Sequence, residues 1–429
     1  MIKMKDSGVE WIGAIPDTWN TIKLYRLLDN IGSGTTPKGD QYYENGVMPW
    51  LNTGDLTDGV INKTNKMVSE LALKECSALQ IHKAGSIVIA MYGATIGKLG
   101  ITTIDLVTNQ ACCVMNPSKD LNKLYLFYLL ASAKDYFILS SYGAGQPNIS
   151  QNTIKNLKVP YCTVKEQEKI ANYLDYKCKK IDEIIEKQQS VIEKLKEYKL
   201  SVITEAVTNG LNPDVVMKDS GVKWIGKIPL NWNVTSLGAL SISMRNGYVG
   251  PTRDIFYDEG IPYIQSLHVK DGTISFEKEK YFVSEEWGEK HPKVYEGQLL
   301  IVQTGDIGQV GLVSKEMNGY NCHALIIVTV NEEYIMPTFL SYYLRSHVGK
   351  ELLLDTKTGA LLPHLNSGKI KVTPIVCPSI EEQSEIVKFL NQKCWCVNEI
   401  ISKKEVILGK LHDYKKSLIY EVVTGKKEV

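Results

Sequence analysis

Asp55 and Asp58, three residues apart in "NTGDLTDG", are the nearest this 429-residue chain comes to a paired-carboxylate motif for metal or acid–base chemistry. The second half of the chain carries His268 and Asp271 at the corresponding places. The pair is therefore not kept, and Asp58-Gly59 and Asp271-Gly272 read more simply as turns between strands. The seven histidines show neither ligand spacing nor an H-E-x-x-H motif. "GATIGKLG" lacks one residue between its glycines, and the hydroxyl after Lys98, that a phosphate-binding loop requires. The nine cysteines are an odd number without paired zinc spacing, and they read as reduced structural thiols of a cytosolic chain. No catalytic residue, metal site or cofactor of this chain's own is expected.

What the polar residues can do instead is recognise. Glycine-rich segments carry Thr35, Thr36, Lys38, Asn52, Thr53, Tyr92, Thr95, Lys98, Gln146 and Asn148 in the first half, and Arg245, Asn246, Arg253, Gln265, Ser266, His268, Thr304, Asp306, Gln309 and His364 in the second. Arg and Lys suit guanine edges or phosphates, Asn and Gln suit adenine, and Asp306 can accept from cytosine. These are the candidate DNA contacts.

The elements that must position them are written twice. "MKDSGVEWIGAIPDTW" at 4–19 returns as "MKDSGVKWIGKIPLNW" at 217–232, an offset of 213. "MPWLNTGDLTDGVI" answers to "IPYIQSLHVKDGTI", and "GSIVIAMYGATIGKLG" to "GQLLIVQTGDIGQVG". Apolar and glycine positions are kept while polar letters change, which is the signature of a constant scaffold under a variable surface. The runs at 86–90 and 299–302 are expected to be buried strands.

Each copy then leads into a long helix. Thr163 with Glu166, and Ser379 with Glu382, form S/T-x-x-E capping boxes ahead of an apolar periodic run. Steps of 4 and 3 link Leu174, Ile181, Ile185, Ile192 and Leu195, and an offset of 216 gives Leu390, Val397, Ile401, Leu408 and Leu411. This heptad seam predicts two helices of roughly 65 Å, and the near-identity of the two patterns favours their packing on each other about an internal pseudo-twofold, hence as an antiparallel coiled coil, over each pairing with a partner protein. The expected fold is α+β: two tandem pseudo-symmetric recognition domains, 1–162 and 211–378, each followed by a spacer helix, 163–210 and 379–429.

Composition is that of an ordinary globular protein, 44% hydrophobic and 23% charged, and no apolar run is long enough to span a membrane. A net charge of +1 argues against holding nucleic acid by bulk charge. Residues 1–160 carry 15 basic and 13 acidic side chains, and 211–380 carry 16 and 18. Local patches or other subunits would have to supply phosphate contacts.

The repeated "W-I-G-x-I-P-x-x-W", the helix entries "KEQEKI" and "CPSIEEQSEI", and the order domain, helix, domain, helix resemble the specificity (S) subunit of type I restriction–modification systems over essentially the whole chain. The resemblance implies a non-catalytic cytoplasmic subunit that reads a bipartite asymmetric site in double-stranded DNA. It implies two modification (methyltransferase) subunits and restriction (nuclease/translocase) subunits as partners, with S-adenosylmethionine, ATP and Mg used in those chains. The competing expectation from another class is a two-domain scaffold that binds proteins or glycans.

Overall fold

The computed structural model describes residues 3–141, 148–277, 279–359 and 363–429. They form two compact units, Met1–Gln188 with Val406–Val429, and Gln189–Glu405.

In the first unit, strands β1 (Leu28–Gly32), β3 (Gly59–Ile61), β4 (Ile87–Ala90), β5 (Leu99–Thr102) and β6 (Cys112–Pro117) make one sheet in the order β1-β6-β4-β5-β3. A smaller sheet is built on β2 (Met48–Leu51), which pairs antiparallel with Lys66–Val68 and parallel with Val107–Thr108. β4 is buried along its whole length because both of its faces are covered. Ile87 and Ile89 pack with Tyr125, Leu126 and Leu129 of helix α1 (Lys123–Ser132), while Val88 and Ala90 pack with Leu51, Leu56, Ile61 and Val114. The period-2 alternation of a strand thus feeds two separate cores.

The second unit repeats this plan. Strands β7 (Ser241–Asn246), β9 (Leu299–Val302), β10 (Val310–Leu312) and β11 (Leu325–Val330) are ordered β7-β11-β9-β10, and β8 (Ile261–Ile264) pairs antiparallel with Phe282–Val283 and parallel with Asn321–Cys322. Leu299 and Ile301 face Phe339, Leu340 and Tyr343 of helix α3 (Pro337–Arg345), and Leu300 and Val302 face Ile264, Val269 and Cys322.

Two long helices follow, α2 (Val164–Asn209) and α4 (Ile380–Val423). Thr163 and Glu166 cap α2 reciprocally: the Thr163 N–H donates to the Glu166 carboxylate at 3.0 Å, and the Glu166 N–H to the Thr163 hydroxyl at 3.3 Å. At α4 the Glu382 N–H donates to the Ser379 hydroxyl at 3.3 Å. Buried directly behind these caps are Gln167 and Gln383. The Gln167 amide donates to the carbonyls of Cys162 and Asp120 (3.0 and 3.1 Å) and accepts from the Asn122 N–H (2.8 Å). Gln383 repeats all three contacts, donating to Pro378 and Tyr334 (3.0 and 2.9 Å) and accepting from Met336 (2.8 Å). Each long helix is bolted to its own domain by one glutamine.

The helices pack on each other inside each unit. In the first, Leu174, Cys178, Ile181 and Ile185 share a core with Leu418, Ile419, Val422 and Val423, and Leu408 and Leu411 pack partly buried against it. In the second, Ile203, Ala206 and Val207 share one with Ile386, Val387, Leu390 and Cys394. Ile192, Val397 and Ile401 are also buried and Leu195 is half-buried. Two polar contacts define direction. Lys415 donates to Asp182 at 2.6 Å in the first unit, and Lys199 to Asn398 at 3.1 Å in the second. Seventeen residues forward on α2 are seventeen back on α4, the order of an antiparallel pairing. The two contacts are also mates under the 216-residue offset, because Asp182 corresponds to Asn398 and Lys199 to Lys415.

The duplicated opening motif has a packing explanation. Gly425 follows α4 at φ +70°, and a Cβ there would come within 2.5 Å of Pro16 and 3.1 Å of the Trp19 ring. Within the second unit Gly210 follows α2 at φ +78°, and a Cβ there would come within 3.2 Å of the Trp232 ring. Each opening tryptophan therefore closes over a helix end that only glycine completes without strain.

Candidate nucleic-acid interface

The strand registers decide which loops meet. In the first unit Gly32 at the end of β1 lies opposite Val114, Cys112 at the start of β6 opposite Ala90 at the end of β4, and Ile89 opposite Leu99 at the start of β5. Parallel pairing of Gly59 with Gly100 adds the start of β3. The segments 33–38, 52–58, 91–98 and 109–111, far apart in sequence, consequently emerge along one edge of the sheet. Asn148 joins them through a bridge to Tyr92.

Most first-half candidates lie on this edge. Thr36, Lys38, Tyr92 and Asn148 are exposed, and Thr35, Thr53, Thr95 and Lys98 are half-buried. Gln146 lies outside the described residues. The loop holding Thr35 and Thr36 is fixed from below, since the Trp50 indole donates to the Thr35 carbonyl (3.1 Å) and the Tyr43 hydroxyl to the Pro37 carbonyl (3.1 Å). Asn52 spends its side-chain oxygen on the Gly54 N–H at 2.8 Å, while its own N–H donates to Asp55 at 2.9 Å. Asp55 is thus a turn-former, and Asp58, at φ +58°, likewise turns the chain and accepts from the Leu99 N–H at 2.8 Å.

The second unit assembles the equivalent edge from the end of β7, the start of β11, the end of β9 and the start of β10. Arg245, Arg253, Thr304 and Asp306 are exposed there, and Asn246, Gln265, Ser266, Gln309 and His364 are half-buried. Arg245 donates to the Lys293 carbonyl at 2.6 Å, and Gln309 donates to Asp306 at 3.0 Å. The Leu365 N–H donates to the Gln303 carbonyl at 3.0 Å, which brings His364 to the same edge. The loop after β7 is buttressed by a different aromatic set: Tyr248 meets Trp287 and His291 edge-on at 4.9 and 5.0 Å, and those two rings stack at 3.6 Å.

His268 needs correction as a candidate. It is 2% exposed, its Nδ1 accepts the Gln265 N–H at 2.9 Å, and its Nε2 lies 3.0 Å from the Glu279 carbonyl. Burial holds its pKa below the ordinary imidazole value. It occupies the place of Asp55 and does the same capping work with a different side chain, so it is not offered to a ligand. Gln110 and His323, outside the sequence candidates, stand just before the central strands β6 and β11 at corresponding places of the two edges. The two-residue buried strands Val107–Thr108 and Asn321–Cys322 ahead of them, each parallel to a kept strand, are the signal that locates them. The cysteines are free thiols, and burial pushes that of Cys113 up to about 12, far from a reactive thiolate. No group of side chains suited to a metal occurs among the described residues.

Two copies of one α+β frame, alike in strands and caps, differ in the polar groups along one edge, and each sends a long helix into a shared antiparallel pair. That arrangement defines a duplicated recognition subunit. The chain belongs to the type I restriction modification DNA specificity domain family, which it matches over residues 16–194 and 229–405. It is a non-catalytic DNA-recognition subunit of such a system. Among its relatives is the type I restriction enzyme MjaIX specificity subunit of Methanocaldococcus jannaschii, 27% identical over 97% of this chain and 95% of that protein. The EcoBI specificity subunit of Escherichia coli is 24% identical over 74% of this chain and 69% of its own length. A chain from a solved structure concerned with complex assembly and conformational transition of the type I R-M system shares the fold, with a TM-score of 0.72 at 14% identity over 96% of this chain and 99% of that one.

Proposed function

We propose that the two sheet edges each read one half of a bipartite, asymmetric duplex site, and that the antiparallel helices set the number of unread base pairs between the halves. The observation that carries this reading is that the recognition turns keep their geometry while changing their residues, Asn52 with Asp55 in one domain and Gln265 with His268 in the other. A frame conserved under divergent edge groups suits two different readings of one polymer whose major groove presents a distinct pattern at each base pair. The working domains are 1–162 and 211–378, with helices 163–210 and 379–429 as spacer, and the exposed candidates named above are the contact set, without His268.

In this reading the chain works in the cytoplasm and recruits two modification (methyltransferase) subunits and then restriction subunits, which use S-adenosylmethionine, ATP and Mg. Those subunits supply most phosphate contacts, because the charge of this chain is nearly balanced. A footprint of the chain with its methyltransferase tests this: two protected half-sites separated by an unread gap are expected. Uniform reactivity across a large random DNA library refutes it and favours a scaffold for proteins or glycans.

A further inference from the structure

Resting on that reading, one residue absent from the candidate set stands out at the centre of the first edge. The segment 109–111 is held on three sides: the Gly34 N–H donates to the Asn109 carbonyl (3.3 Å), the Asn109 N–H to the Leu51 carbonyl (3.0 Å), and the Met91 N–H to the Ala111 carbonyl (2.8 Å). The Ala111 N–H adds a bond to the Asn109 side chain at 3.1 Å. A Cβ at Gly34 would lie 1.8 Å from the Thr108 carbonyl oxygen, so the 33–38 loop approaches this segment as closely as backbone allows. From this clamped platform Gln110 projects exposed, and the Thr36 hydroxyl lies 2.8 Å from its Oε1.

The threonine hydroxyl is both donor and acceptor, so it orients the carboxamide whichever way the amide is turned. Either orientation leaves at least one oxygen lone pair and one N–H directed outward. That donor–acceptor pair complements the N6–H and N7 of adenine, whereas guanine presents two acceptors at the same edge. We propose that Gln110 reads an adenine of the first half-site and that Thr36 is its positioning residue. A pre-oriented amide on rigid backbone loses little freedom on binding, which separates it from the exposed Lys38 nearby.

The test uses the full chain assembled with its methyltransferase subunits and a DNA library randomised over the site, read by methylation mapping. Gln110→Ala is expected to lose about 5- to 150-fold discrimination at one adenine of the first half-site, with the second half-site unchanged. Thr36→Val should relax the same position by a smaller factor, and Thr36→Ser should restore it, which a purely structural role would not do. Retained discrimination at every position in Gln110→Ala overturns the inference, as does loss at a non-adenine position. Equal weakening on all sequences overturns it too, by making Gln110 a backbone contact. Failure of the wild-type assembly to select any sequence is a different result, and it would instead overturn the proposed function.

Discussion

Replacing Gln167 by leucine removes three hydrogen bonds at the joint where α2 leaves the first domain. Of the groups left behind, the Cys162 carbonyl is fully enclosed, and a buried acceptor without a partner costs about 1–3 kcal/mol. The Asp120 carbonyl and the Asn122 N–H are partly buried, water reaches them, and each adds about 0.5–1 kcal/mol. Leucine returns roughly 1 kcal/mol through its apolar surface. The net loss is about 1–4 kcal/mol. Its effect spreads because Asn122 caps α1, accepting from the Leu124 and Tyr125 N–H groups at 2.9 and 3.0 Å, and α1 covers one face of the sheet. For a unit of this size each kcal/mol moves the melting temperature by about 2–4 °C, so a drop of about 2–15 °C is expected. Gln383→Leu should do the same to the second unit. Differential scanning calorimetry measures the size, and hydrogen exchange over 118–130 and 332–345 shows where it falls. A Gln167→Leu shift below about 1 °C, or faster exchange at 332–345 in that variant, would refute the argument.

Other consequences follow from the repeat. A fragment of residues 1–210 should dimerise, because the antiparallel register and the 216-residue offset bring Asp182 of one copy to Lys199 of the other, twice; analytical ultracentrifugation with Asp182→Lys checks this, the variant weakening the dimer. Inserting four residues near Gly210 lengthens a helix by about 6 Å, and methylation mapping should report a gap changed by one or two base pairs with the bases of each half-site unaltered. Because burial lowers the pKa of His268, the unfolded chain takes up a proton near pH 6.5 that the folded chain resists. The stability His268 contributes is therefore full above that pH and falls on acidification towards pH 5, by up to about 1.4 kcal/mol per pH unit. His323 shifts in the same direction. Denaturant midpoints at pH 5.5 and 7.5 should show a smaller difference in His268→Asn, which keeps an acceptor for the Gln265 N–H.

Local chemistry made much of this protein readable from its letters. Duplication, the helix N-caps at Thr163 and Ser379, the strands at 87–90 and 299–302 and the heptad seam all depend on near neighbours or on a fixed period, and periodicity survives in a linear sequence. The role of a polar residue did not, because it depends on what the chain brings back from a distance. Asn52 and Gln265 look alike in sequence, as do Lys38 and Arg253, yet capping geometry engages the first two while the others stay exposed. His268 reads as a candidate contact in sequence but is enclosed in the fold, and nothing local marks Gln167 as the residue onto which the 118–122 turn folds. The edge proposed to read DNA exists only because the strand order β1-β6-β4-β5-β3 carries four separated loops to one end of a sheet, an order that no local rule encodes. The same holds for the helices. Their apolar steps announce a seam and their duplication favours an antiparallel pairing, but which residues meet across it appears only in the fold, where Lys415 meets Asp182 and Lys199 meets Asn398.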